Sequence, residues 1–86
     1  MFALIWLDAV LDELAGLYVA AKLPDRARMA AAVEALNSRL RSDASAEGES
    51  REGNLRITFI PLLAVTFHVS EPDRVVHVIG IQKFGR

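Results

Sequence analysis

The stretch "NLRITFIPLLAVTFHVSEPDRVVHVIGIQ", residues 54–82, decides the fold. Three apolar segments, Asn54 to Ile60, Leu63 to Val69 and Val75 to Gln82, are separated by Pro61 and by the turn-forming "SEPDR". Each is dense in β-branched and aromatic residues, and each is bounded by turn chemistry. The spacing predicts three consecutive antiparallel strands. Side chains alternate across a strand, so register follows from the length of each connection. Leu55, Ile57 and Phe59 are expected to share a face with Leu63, Val65 and Phe67, which needs an odd connection such as three residues at Ile60 to Leu62. The opposite face then gathers Arg56, Thr58, Thr66 and His68.

The last strand is apolar on both sides, with Val75, Ile79 and Ile81 on one and Val76 and Val78 on the other. It is therefore expected in the middle of the sheet. Two registers are open to it. A four-residue loop, Glu71 to Arg74, with Pro72 at the second corner of a type I turn, sets His68 opposite His77 on the face of Arg56. A five-residue loop instead turns His77 toward the helices. Only the first arrangement supplies a general-base site.

Upstream, the pattern changes period. Phe2 to Trp6 is a short run of strand formers, too short for a helix and the natural second neighbour of the last strand. Asp8 is read as a carboxylate N-cap, with Asp12 and Glu13 in the early turns where the helix dipole favours negative charge. Val10, Leu14, Leu17 and Ala21 then recur at helical spacing, giving a first helix over Ala9 to Lys22. Leu23, ahead of Pro24, is expected outside the α region. Met29, Val33, Leu36 and Leu40 line one face of a second helix that Pro24 opens. The short connection predicts an antiparallel helical hairpin. Residues 42–53, "SDASAEGESREG", lack any period and read as a loop.

Composition bounds what such a domain does. The 86 residues suffice for one domain, and a hydrophobic fraction of 52% excludes disorder. There is no cysteine, hence no disulfide and no thiolate metal site. The two histidines match no zinc-ligand spacing, and no metal or other cofactor is expected. A net charge of −1 gives no global attraction to nucleic acid, so any basic function is local. Asp8, Asp12 and Glu13 break the N-terminal apolar run, which argues against a signal peptide or membrane span and for a cytoplasmic protein.

The predicted architecture is α+β: β-α-α-β-β-β in two layers, with a helical hairpin on one face of a mainly antiparallel sheet. In that order of elements, "IWLDAVLDELAGLYV", "GESREGNLRITF", "LLAVTFHV" and "VVHVIGIQKFGR" resemble the RelE/ParE superfamily of toxins from type II toxin–antitoxin systems. The first is similar to the family's strand-to-helix opening, and the last two to its closing strands. The resemblance implies a cognate antitoxin as partner, a role in plasmid stabilisation, and either DNA gyrase or the ribosome as target. A homodimer is an open alternative.

The same resemblance assigns candidate residues. Arg56 and Lys83 fall where the family is basic, whereas Thr58 and Ala64 stand where its mRNA-cleaving members carry further cations. Phe84 replaces an arginine after Lys83, and no tyrosine follows it. Cleavage of a phosphodiester through a 2′-hydroxyl needs a base, an acid and cationic charge at the phosphate. Arg56, His68, His77, Lys83 and Arg86 are the residues for it. That set is thin, and the departures favour a ParE-like toxin that binds a protein target and does no chemistry. A ribosome-dependent mRNA endonuclease and a degenerate, non-toxic interaction module are the alternatives. The partner-binding candidates are Arg51, Arg56, His68, Lys83 and Arg86. Each also has a plain structural reading: Arg51 between Glu49 and Glu52 is a solvated loop residue, Arg56 covers apolar surface with its stem, and a lone sheet histidine is a tolerated polar residue. The glycines match neither phosphate-loop nor dinucleotide spacing.

Overall fold

The structure, a computed structural model, describes residues 1–85; Arg86, a candidate of the sequence reading, lies outside them. Along the chain run β1 (Ala3–Trp6), α1 (Asp8–Ala20), α2 (Leu23–Asp43), a 3₁₀ turn (Ala44–Ala46), β2 (Glu49–Ser50), β3 (Leu55–Ile60), β4 (Leu63–Ser70) and β5 (Val75–Lys83). The strands form one sheet in the order β1-β5-β4-β3-β2. β1 is parallel to β5 and every other pair is antiparallel. The predicted α+β architecture holds, with β1 beside β5 as expected. β5 lies inside the sheet, but the middle strand is β4.

Both helix starts differ from expectation. Leu7 is the N-cap of α1 and makes no side-chain cap; Asp8 is the first helical residue, where its charge still meets the helix dipole. Leu23 opens α2 instead of standing outside it, with Lys22 as N-cap. Pro24 still sits in the first turn, where a missing N–H costs nothing. The turn between the helices is fixed by Arg26, which donates to the carbonyl oxygens of Ala21 at 3.0 Å and Val19 at 2.9 Å. α1 has no basic residue in its own last turn, so α2 supplies the cation that its C-terminal carbonyls need.

Residues 42–53 are not one loop. α2 continues to Asp43, and Glu49–Ser50 add a two-residue strand beside β3. That strand is too short to show a period in sequence.

The β3–β4 connection overturns the expected register. Ile60 pairs with Leu63, so the link is two residues, Pro61–Leu62, and not three. Proline at the first corner and Leu62 at φ 72° at the second make a type II turn. A leucine rarely adopts that left-handed conformation; here its side chain is buried in the core at 8% exposure, which offsets the backbone strain. Arg56, Thr58 and Ile60 consequently share the helix side with Phe67, Val65 and Leu63, while Leu55, Ile57 and Phe59 face the open side.

The second turn follows the four-residue expectation. Ser70 pairs with Val75, and the Arg74 N–H donates to the Glu71 carbonyl at 3.2 Å. Farther along, Phe67 pairs with Val78 but Thr66 with Gly80, so Ile79 is a bulge. The bulge resolves the two-sided pattern of β5: Val76, Val78 and Ile81 all turn inward. They join Leu63, Val65, Phe67 and Val69 of β4 under Val10 of α1 and Leu36 and Leu40 of α2. Trp6 ties β1 to α2 by donating its indole N–H to Asn37 at 2.9 Å.

Candidate functional site

The sheet has one covered face and one open face, and the strand register sorts the candidate residues between them. On the open face a single row crosses four strands: Ile5 of β1 faces His77 of β5, His77 faces His68 of β4, and His68 faces Leu55 of β3. Both histidines are half-buried. Around the row stand Ile5, Phe59 and Ile79, exposed at 44%, 45% and 38%. Phe84 closes that end, its ring 4.6 Å from the ring of Phe59. Along β1, β3, β4 and β5, no position on this face carries a formally charged side chain.

Arg56 is not part of that group. It points to the helix side, where its guanidinium donates to the carbonyl oxygens of Glu47 at 2.8 Å and Gly48 at 3.1 Å. Beside it, Thr58 is 5% exposed and donates its hydroxyl to the Glu47 carboxylate at 2.7 Å. The same carboxylate accepts two bonds from Arg39, at 2.8 and 3.3 Å. These bonds hold the Glu47 carboxyl below the usual carboxylate range: the Arg39 hydrogen bond dominates, burial opposes it, and Thr58 and the nearby positive charges assist. The Arg39 guanidinium is raised in turn, chiefly by the same hydrogen bond. The polar side of β3 is thus satisfied by the segment before β2, as buried polar groups require.

The other candidates are dispersed. Arg51 is exposed beyond β2 and pairs with Glu49 at 3.1 Å, a solvated ion pair of little energetic consequence. Lys83 is exposed at the end of β5, on the rim of a cleft of about 250 Å³ whose floor includes Leu17, Met29, Leu62 and Leu63. Of the candidates named from sequence that lie among the described residues, the structure brings together only His68 and His77. No cluster of three or more metal-ligating side chains exists among the described residues.

A second surface is built from residues not singled out for function in the sequence. On the outer side of the hairpin, Leu11, Leu14, Tyr18 and Val19 of α1 and Met29 and Val33 of α2 line an apolar groove of about 440 Å³. Leu11, Tyr18 and Val19 are exposed at 45%, 41% and 70%. The signal was present in "LDELAGLYVA", where apolar residues occupy more than one helical stripe. No described helix is long and apolar enough to cross a membrane.

No protein-family model matches the chain, and no curated protein matches it in sequence. Solved structures do match it in shape. The isolated E. coli RelE toxin is similar with a TM-score of 0.69 at 14% identity, over 100% of this chain and 87% of that one. A chain of the intact E. coli RelBE toxin–antitoxin complex is similar with a TM-score of 0.68 at 14% identity, over 100% of both chains. With the helical hairpin and the strand order described above, these likenesses show that the chain shares the fold of the E. coli RelE toxin.

Proposed function

We propose that the chain is a type II toxin, or derived from one, of the ParE-like kind: it binds a protein target such as DNA gyrase and is neutralised by a cognate antitoxin. The open face, uncharged along β1, β3, β4 and β5, carries this reading. An RNA backbone is held chiefly by cations, and its affinity scales with the number of phosphates they neutralise. Here the positions of that face on β1, β3, β4 and β5 offer none, Arg56 is engaged on the other side, and Arg51 stands alone at the β2 edge beside Glu49. Exposed aromatic and aliphatic groups without charge are the chemistry of a protein interface. The hairpin groove supports the antitoxin half of the reading, since an apolar channel between helices accepts the apolar face of an amphipathic helix.

One observation favours the mRNA-cleaving alternative, namely the facing imidazoles of His68 and His77, which could divide base and acid roles. Arg56, Lys83 and Arg86 would then serve the phosphate, although Arg56 shares no face with the histidines. Induced expression separates the readings. Growth should arrest, a coexpressed neighbouring antitoxin should relieve the arrest, and a Leu11→Glu variant should remain toxic in its presence. Purified protein should leave ribosome-bound mRNA intact. Cleavage lost in His68→Gln would overturn the ParE-like reading, and unaffected growth would leave an interaction module.

A further inference from the structure

We propose that His68 and His77 form a two-imidazole chelate for a divalent transition-metal ion of the zinc or nickel class on the open sheet face. Their α-carbons are direct partners across β4 and β5. Facing β-carbons in an antiparallel pair lie about 4.5–5.5 Å apart. Zinc–imidazole bonds of about 2.0–2.1 Å bring two ligand nitrogens to roughly 3 Å from each other. Two rings leaning together from facing β-carbons span that gap.

The surroundings fit a cation. No described group hydrogen-bonds to either ring, and no buried side-chain nitrogen is left without a partner, so the ring nitrogens reach solvent. Ile5 and Leu55 flank the pair and offer no competing polar atom. The observed register removes Arg56 from the face, and with it the cation that would repel a metal ion. Imidazole donors suit zinc, nickel and copper, whereas magnesium and calcium require oxygen ligands. Two protein ligands leave further coordination positions for water or for a carboxylate of a partner. The ion would give the centre of this face the positive charge that the side chains of β1, β3, β4 and β5 lack there.

The test uses the full, untagged chain in thermal unfolding with Zn²⁺, Ni²⁺ or Mg²⁺. At a metal concentration ten times the dissociation constant, the folded-to-unfolded ratio should rise about elevenfold, read as a saturable increase in Tm. Zn²⁺ and Ni²⁺ should give it, and Mg²⁺ should not. His68→Gln and His77→Gln should each abolish it. Should either variant fail to fold, the wild-type NMR spectrum still decides, because Ni²⁺ must broaden the ring resonances of both histidines together. No saturable rise, a rise that survives either substitution, or broadening confined to one ring overturns the chelate.

Discussion

Glu47 accepts hydrogen bonds from Arg39 and Thr58 through its carboxylate while its carbonyl accepts from Arg56, so one residue joins α2, the segment before β2 and β3. Glu47→Ala leaves the buried Thr58 hydroxyl without its acceptor, and the expected cost is about 1–3 kcal/mol in urea unfolding. Thr58→Val made in that background should be nearly neutral, whereas alone it should destabilise. Strict additivity of the two would show that the hydroxyl is not held by Glu47. The pH dependence has a definite sign. Because the folded state depresses the carboxyl pKa, the associated stability is fully present above the ordinary carboxylate value and is lost as pH falls through the depressed one. The stability gap between wild type and Glu47→Gln should therefore be widest near neutrality and close in acid.

The hairpin of β2 and β3 depends on a close backbone approach at Gly48. Its φ of 69° lies in the left-handed region, and an added β-carbon would clash with the Ile57 carbonyl and stand 2.9 Å from the Thr58 β-carbon. Gly53, at φ 67°, has nothing within 4 Å of the same position. Gly53→Ala should cost about 1–2 kcal/mol from backbone strain alone. Gly48→Ala should cost a further ~1–3 kcal/mol, the range for overpacking, and equal Tm losses for the two would contradict the approach. Elements of this kind also mark the boundary of what the sequence reveals. The helices were legible because their apolar period and Pro24 are local signals, whereas the two-sided apolar pattern of β5 left two β4–β5 registers open, of which the one that suits Pro72 forms. The faces of β3 were not legible. Alternation of Leu55, Ile57 and Phe59 points to the core only if nothing covers the other side, and residues 47–48 cover it through Arg56 and Thr58. Nor does any propensity announce a leucine at positive φ, which is what shortens the β3–β4 turn. The histidine pair was thus one of the two arrangements left open from sequence, whereas the position of Arg56 required the tertiary structure.

At the scale of the molecule, the sheet is closed by strands from opposite ends of the described chain. Ala3 pairs with Val75, and Trp6 with Val78. β1 has no other strand beside it, and the inward side chains of β5 complete the floor beneath the helices. Such long-range pairing is formed late and cooperatively, since loop closure costs entropy before any contact repays it. A fragment of residues 1–74 keeps both helices and four strands but lacks Val76, Val78 and Ile81 from the core. It should unfold without a cooperative transition and be cut rapidly by protease; a sharp melt would show that β5 is dispensable. Timing during synthesis follows from the same pairing. The ribosome delivers β1 first and must translate through β5 before β1 has a place to dock. Until then the nascent chain has neither a finished sheet nor a paired His68, while the segments that form the helices and line their groove have already left the ribosome. On the proposed function, the segments that line the antitoxin groove leave the ribosome ahead of the strand that completes the harmful surface, so a helix-shaped partner has them to bind before potency is assembled.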